Sequence, residues 1–273
     1  MGAIYALSAV GVSLVAGVMK VVNFAHGEFY ILGAYFSYYF SVSLGLSPLL
    51  SAMLSVALLF CVGLLVEKMF MSSTYGLPMR SMMTTFILAM VLQSIALLAF
   101  GPYPKKPPSF SEDSIQLLGV VSFGEQRLIA GAVSLIVFGF FYWFIKKSHF
   151  GLMIRAVAQD AEMAEAMGID SKKVNLISFA LAVALAALAG VVLAPTFPVV
   201  PTSGEAITLA AFVVVVFGGM GSIRGCLMGG LLLGLAENFG STYLSSMYGQ
   251  IFGFILLIGV ILLKPMGLYG NKI

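Results

Sequence analysis

Charged residues are scarce in this chain of 273 residues: they make up 9% of it, as 14 Lys and Arg and 11 Asp and Glu. An average soluble domain has roughly 25% charged residues, which it needs to cover its surface. This scarcity excludes a soluble enzyme, a nucleic-acid-binding protein and a disordered scaffold. The two cysteines, Cys61 and Cys226, both lie in apolar stretches and form no CxxC pair, so the sequence indicates no disulfide framework.

Motifs for catalysis and nucleotide binding are also absent. The sequence contains no GxxxxGK[ST] loop to hold ATP phosphates, no GxSxG, no HExxH and no group of metal-ligand residues. We therefore expect this chain not to be an enzyme and to bind neither a metal nor a cofactor itself.

Hydrophobic residues make up 60% of the chain and form continuous runs rather than alternating patterns. A membrane-spanning helix needs roughly 20 mostly apolar residues, whereas lipid-crossing strands would alternate apolar and polar positions. The sequence predicts an all-α integral membrane protein: one polytopic bundle, formed by residues 1–273, with eight or nine transmembrane or re-entrant helical elements. The predicted spans are 2–19, 48–66, 82–100, 128–145, 174–193 and 249–263, and shorter or broken apolar stretches occupy 27–44, 206–217 and 226–246.

The distribution of basic residues predicts the orientation, because cytoplasmic loops of membrane proteins are enriched in Lys and Arg. If segment 146–173 is cytoplasmic, every basic residue except Lys105, Lys106 and Arg127 falls on the cytoplasmic side. Those three residues share loop 101–127 with acidic residues. We therefore predict an extracytoplasmic, Pro-rich loop over 101–127 and a cytoplasmic C-terminus.

The cytoplasmic segment contains a run of helix-forming residues. Arg155–Met167 reads RAVAQDAEMAEAM and predicts one helix, followed by Gly168 as the residue that ends it. Helical spacing places Val157, Ala161, Ala164 and Met167 on one apolar stripe. Such a helix either docks into a groove of a partner protein or lies back against its own bundle.

Two apolar regions, one in each half of the chain, contain residues that disfavour a plain helix. The first holds polar residues beside a glycine that allows the backbone to break, and the second is rich in glycine. Paired interruptions of this kind indicate a transport site, although the first also fits an ordinary cytoplasmic turn. The substrate-pathway candidates are Asn23, His26, Gly27 and Glu28 in the first region and Gly218, Gly219, Gly221 and Ser222 in the second.

Three stretches resemble a known family. Residues 151–192 are similar to the cytoplasmic loop and following span of permeases in ATP-binding-cassette importers for branched-chain amino acids, with Gly151, Arg155, Ala156, Asp160, Ala164, Gly168 and Ile169 at the spacing of that family. NFAHGE at 23–28 also matches, as does GGMGSIRGCLMGGLLLGLAE at 218–237 with KPMGLYG at 264–270. The chain most resembles the shorter, LivH-like permease subunit.

This resemblance implies a transmembrane subunit that moves a branched-chain or other hydrophobic amino acid into a bacterial or archaeal cell across its cytoplasmic (inner) membrane. The implied partners are a homologous, LivM-like permease, two ATPase subunits that bind the ATP and Mg²⁺, and an extracytoplasmic substrate-binding protein. The implied coupling residues, which would contact an ATPase subunit, are Arg155, Ala156, Asp160, Ala161, Ala164, Met167, Gly168 and Ile169.

Two other functions remain open from the sequence. Similar permeases transport urea and short amides. A proton-coupled secondary transporter would instead use His26, Glu28 and Glu237 as a proton relay, and would need no ATPase. Glu237 is expected either to accept a hydrogen bond from a buried hydroxyl or to cap a helix at the extracellular side. Arg224 replaces a residue that is often proline in similar permeases, and its role is open.

Overall fold

A computed structural model of the protein describes residues 1–110, 114–117, 121–243, 249–264 and 267–269. The helices are α1 Gly2–Met19, α2 His26–Tyr38, α3 Pro48–Val66, α4 Pro78–Phe100, α5 Glu125–Lys147, α6 His149–Gln159, α7 Ala161–Ala166, α8 Ser171–Leu193, α9 Ser203–Gly218, α10 Ile223–Tyr243 and α11 Gly249–Leu263. Short π-helical turns at Tyr39–Ser43 and Glu67–Met71 and a 3₁₀ turn at Ser72–Thr74 extend the spans.

Five helical segments in the described residues are long and apolar enough to cross a membrane: Gly2–Met19, Pro48–Thr74, Pro78–Phe100, Glu125–Lys147 and Ser171–Leu193. Helices α9 and α10 are apolar enough only as a pair, which is bent by 118° at the break between them and adds a sixth candidate if the pair is counted as one span. The prediction of an all-α polytopic membrane protein is confirmed. The predicted spans 82–100 and 128–145 begin a few residues too late, because Pro78 and Glu125 are favourable first-turn residues that start α4 and α5 earlier.

The two ends of the bundle differ in composition. At one end, the side chains of Lys146 and Arg224 both lie over the ring of Tyr142, and Arg155 Nη1 donates to the carbonyl of Ile145. We call this the basic end. Lys20, which ends α1, lies there too, because Gly17 of α1 packs against the α9–α10 turn.

The opposite end carries an antiparallel hairpin, β1 Ser114–Leu117 and β2 Val121–Gly124, with Ser114 opposite Gly124. We call it the hairpin end. There Lys105 and Val199 form an isolated two-residue bridge, and the Phe110 N–H donates to Gln126 Oε1 at 2.9 Å. The predicted loop 101–127 therefore contains ordered strands, although its residues 111–113 and 118–120 lie outside the described part of the chain.

Helices α1 and α8 form the centre of the bundle, since 72% and 67% of their spanning residues are buried, against 22% for α4. Small residues bring these helices and their neighbours together. A Cβ on Gly11 would lie 2.8 Å from the Ala182 oxygen, and one on Gly63 would lie 2.9 Å from the Ala180 Cα. Small residues on α8 thus let neighbouring helices approach closely.

The predicted glycine-rich interruption, FGGMGSIRG at 217–225, is present, but it is a tight turn at an end of the bundle. Helix α9 ends at Gly218, and α10 begins at Ile223 after Gly219 and Gly221, whose φ values of 93° and 79° favour glycine. After α11 the chain returns to this turn, where the Leu268 N–H donates to the Phe217 carbonyl at 2.8 Å. The interruption thus lies at the basic end and not in the middle of the bundle.

Candidate functional site

Helix α2 begins in the interior of the bundle. The chain leaves α1 at Lys20, which has a left-handed φ of 54°, and has no helix until His26. His26 Nε2 lies 3.3 Å from Ser8 Oγ. Ser8 is nine residues of helix from Gly17 at the basic end, or about 14 Å at 1.5 Å per residue. The first turn of α2 is therefore near mid-depth.

The other end of α2 reaches the hairpin end. Tyr35 stacks on Phe100 with ring centroids 4.5 Å apart, and its hydroxyl donates to the Val199 carbonyl at 3.4 Å. Helix α2 thus covers only the half of the bundle nearest the hairpin end, with a non-helical stretch completing the path to the basic end. Half-helices of this kind place backbone ends and polar side chains at the centre of transporters.

The polar residues before and in the first turn of α2 are buried: Asn23, His26 and Glu28 are 1%, 0% and 3% exposed. Asn23 Oδ1 accepts from the Ala25 N–H at 3.0 Å, which shapes the turn into the helix. The alternative interpretation of this region as an ordinary cytoplasmic turn does not fit this burial. Three buried atoms have no hydrogen-bond partner among the described residues: Asn23 Nδ2, His26 Nδ1 and Glu28 Oε2.

Helix α9 crosses α2 at two glycines. The Gly27 N–H donates to Thr208 Oγ1 at 2.9 Å, and Thr208 Oγ1 donates in turn to the Gly204 carbonyl at 3.0 Å. A Cβ on Gly27 would overlap the Gly204 carbonyl oxygen. The expectation that Gly27 breaks the backbone is wrong, because Gly27 is helical; its lack of a side chain serves the close approach of α9.

Glu205 and Thr208, both on α9, were missed as site residues from the sequence. Glu28 Oε1 lies where a Cβ on Gly204 would be, which brings the Glu28 carboxylate next to Glu205, an exposed residue in the first turn of α9. Both glutamates are thus in the first turn of a helix, where the helix dipole favours negative charge. The sequence Thr-Ser-Gly-Glu at 202–205, ahead of an apolar run, was the available signal of a helix start.

The second group of predicted pathway residues lies elsewhere. Ser222 Oγ accepts from the Gly225 N–H at 3.1 Å and caps α10. Gly221 and Ser222 line an open cavity of about 510 Å³ at the basic end, together with Tyr142, Ile145, Lys146, Arg155, Ile223 and Arg224. The structure therefore does not bring Gly218, Gly219, Gly221 and Ser222 together with Asn23, His26, Gly27 and Glu28. Arg224 Nε donates to Tyr142 Oη at 2.8 Å.

The predicted single helix 155–167 is wrong, because the chain breaks at Asp160. Asp160 has an extended backbone (φ −152°), and its Oδ1 accepts from the Met163 N–H at 3.0 Å, which caps α7. Aspartate is a strong N-cap residue, and this capping outweighs the helix-forming residues on either side. Gly168, with φ 86°, follows α7 in the predicted left-handed conformation.

The break also separates the predicted apolar stripe. Val157 and Ala164 are buried, at 1% and 5% exposure, whereas Ala161 and Met167 are exposed. Arg155, Ala156 and Ile169 are half-buried. Residues 161–168 are all exposed to solvent except Ala164, and we call this segment the exposed tip.

The exposed tip is connected to α8. Ser171 Oγ, in the first turn of α8, donates to Glu165 Oε1. Asp170 caps α8 by accepting from the Lys173 N–H at 3.1 Å, and this hydrogen bond lowers the pKa of the Asp170 carboxyl. The tip is therefore held at both ends by capped helices.

Glu237 lies far from the exposed tip, next to the first turns of α1. There Tyr5 Oη donates to Glu237 Oε2 at 2.7 Å. The expectation that Glu237 accepts from a hydroxyl is confirmed.

Comparison with known proteins places these features in a family context. Residues 1–261 match the family described as branched-chain amino acid transport system, permease component. The high-affinity branched-chain amino acid transport system permease protein BraD of Pseudomonas aeruginosa is 33% identical over 99% of this chain and 92% of its own length. LivH of Escherichia coli K12, of the same description, is 32% identical over 99% and 92%. A probable LivH of Methanocaldococcus jannaschii is 28% identical over 97% and 88%. No solved structure matches the chain.

Proposed function

The chain belongs to the family of branched-chain amino acid transport system permease components, and from this premise we propose that it is the LivH-like permease subunit of an ATP-binding-cassette importer. The substrate is a branched-chain or other hydrophobic amino acid, delivered by an extracytoplasmic binding protein. It crosses between this chain and a homologous, LivM-like permease in the cytoplasmic (inner) membrane of a bacterium or archaeon.

The orientation follows from charge. The basic end carries Lys20, Lys146, Arg155 and Arg224, and cytoplasmic ends of membrane proteins are enriched in such residues. We place the basic end, and with it the C-terminus, in the cytoplasm. The hairpin end then faces the binding protein.

The observation that carries this proposal is the exposed tip at the basic end. It combines exposed apolar side chains, Met163 at 63% and Met167 at 78%, with the acidic residues Glu162 and Glu165. An ATPase subunit docks on this tip and supplies the ATP and Mg²⁺, since the chain itself contains no GxxxxGK[ST] loop. ATP binding then biases two arrangements of the helices.

Replacement of Met167 by Glu tests the docking. Placing a charge in an apolar contact should release the ATPase, because a buried unpaired charge costs several kcal/mol. Met79→Glu is the matched control, since Met79 is also exposed (69%) but lies in the first turn of α4, outside the exposed tip. Co-purification of the ATPase and ATP-driven leucine uptake should fall for Met167→Glu only. Equal ATPase capture by the wild type and Met167→Glu contradicts docking at this tip.

The alternative functions predict different results. A urea or short-amide permease would take up those solutes and not leucine under the same ATP-driven conditions. A proton-coupled transporter would work without an ATPase in a proton gradient. No hydrogen bond among the described residues joins His26, Glu28 and Glu237. The side chain of His26 is paired with Ser8, and that of Glu237 with Tyr5. The structure therefore gives a proton relay no support.

A further inference from the structure

We propose that Glu28 and Glu205 receive the ammonium group of the amino acid as it passes through the membrane. This inference rests on the proposed function and adds residues and chemistry to it. Three observations support the proposal: the position of Glu205, the lack of partners around Glu28, and the apolar surface of α9 between Glu205 and the basic end.

Glu205 is exposed at a depth where lipid would otherwise surround it. It lies 13 residues along α9 from Gly218 at the basic end, or about 20 Å of helix, within a hydrocarbon layer of about 30 Å. Acidic side chains at such depth face a water-filled cavity or another protein rather than lipid. The face of α9 that bears Glu205 therefore lines the conduit.

Glu28 lies behind Glu205 and lacks a partner. It is 3% exposed, its Oε2 has no hydrogen-bond partner among the described residues, and its Oε1 lies against Gly204, the residue before Glu205. Neither carboxylate forms an ion pair within the described residues. A buried acceptor without a partner is costly, so a site with two carboxylates and no cation is suited to a passing cation with several N–H donors.

The surface of α9 below Glu205 is apolar. Leu209 and Phe212 follow Glu205 at i+4 and i+7, on the same face of the helix. The ring of Phe24 meets that of Phe212 at 5.6 Å and that of Phe86 at 6.3 Å, both edge-to-face. Carboxylates next to an aliphatic and aromatic surface match a molecule with an ammonium group and a branched apolar side chain. Urea has neither group.

The test uses the reconstituted complex of this chain with its permease, ATPase and binding-protein partners, with radiolabelled leucine as the probe. The variants are Glu205→Gln, Glu28→Gln and Glu205→Asp. Glu125→Gln is the control, because Glu125 lies in the first turn of α5 and not on α2 or α9. Uptake at saturating binding protein, ATP hydrolysis stimulated by the loaded binding protein and the Tm are measured for each.

We expect both Gln variants to slow uptake by about tenfold or more, which is the effect of losing one charge-assisted hydrogen bond. ATP hydrolysis and Tm should stay close to those of the wild type, and Glu205→Asp should recover most of the uptake. Glu205 is exposed, so its Gln variant remains informative even if Glu28→Gln fails to fold.

Two results overturn the inference. One is unchanged uptake in Glu205→Gln. The other is a parallel loss of uptake, ATP hydrolysis and Tm, which would assign the carboxylates to folding or coupling. A wild-type complex that transports no leucine contradicts the proposed function itself, and this outcome is separate because it precedes any comparison of variants.

Discussion

Replacing Gly27 by Ala tests the crossing of α2 and α9, on which the position of Glu28 depends. The added Cβ would overlap the Gly204 carbonyl oxygen and Thr208 Oγ1, so the two helices must move apart. Separation weakens the 2.9 Å hydrogen bond from the Gly27 N–H to Thr208, worth about 1 kcal/mol. Overpacking in a core costs a further ~1–3 kcal/mol. We therefore expect a loss of about 2–4 kcal/mol of folding free energy.

The assay is the Tm of the purified protein in detergent, together with uptake by the complex. A loss of this size corresponds to a Tm lower by about 5–10 °C in a chain of this length. Gly139→Ala in α5 is the matched control, because a Cβ there has no neighbour within 4 Å. Alanine is favoured over glycine inside helices by about 1 kcal/mol, so the control should keep or raise its Tm. Equal Tm values for the two variants would refute the close crossing of α2 and α9.

Two further perturbations address single hydrogen bonds. Tyr5→Phe removes the hydroxyl that donates to Glu237 Oε2 and leaves the acceptor partly buried without it, which should cost about 1–3 kcal/mol in a denaturation measurement; Glu237→Leu in the same background should recover part of the loss. The lowered pKa of Asp170 means that its ionised form stabilises the start of α8. This contribution should be complete above the ordinary pKa of 3.8 and disappear as pH falls through the lowered value, a difference in acid stability that Asp170→Asn should abolish.

The long spans could be predicted from the sequence because each is a continuous apolar run, and bilayer thickness alone sets its length. The predicted 2–19 and 48–66 coincide with α1 and α3. The segment around Asp160 could not be predicted as reliably. Helix formers on both sides favoured one helix, and only the cap geometry of Asp160 shows that α6 and α7 are separate.

The candidate site was half visible in the sequence. Polar side chains inside a membrane carry a free-energy cost, so their presence in an apolar region indicates a function. This argument singled out Asn23, His26 and Glu28. Their partners on α9 could not be found in this way. Gly27 and Thr208 are 181 residues apart, and without the fold nothing in the pattern indicates that they meet. The interruption at 217–225 could also be predicted, because its glycines disfavour a plain helix in an apolar region. Its depth in the bundle could not be predicted, because depth depends on helix tilt and packing.

Helix α8 gives the basic end a direct physical connection to the half-helix α2. Its first turn holds the exposed tip through Ser171 and Glu165. Sixteen residues further along, about 24 Å of helix, Ala187 lies so close to α2 that a Cβ on Gly33 would be 2.6 Å from its Cα. Close-packed contacts of this kind cannot deform continuously. A helix that shifts therefore moves its neighbour to a second discrete arrangement. If an ATPase pushes on the tip as proposed, the push would reach α2 through one rigid helix, and the α2–α9 crossing at Gly27, beside Glu28 and Glu205, is where the displacement would change the proposed conduit.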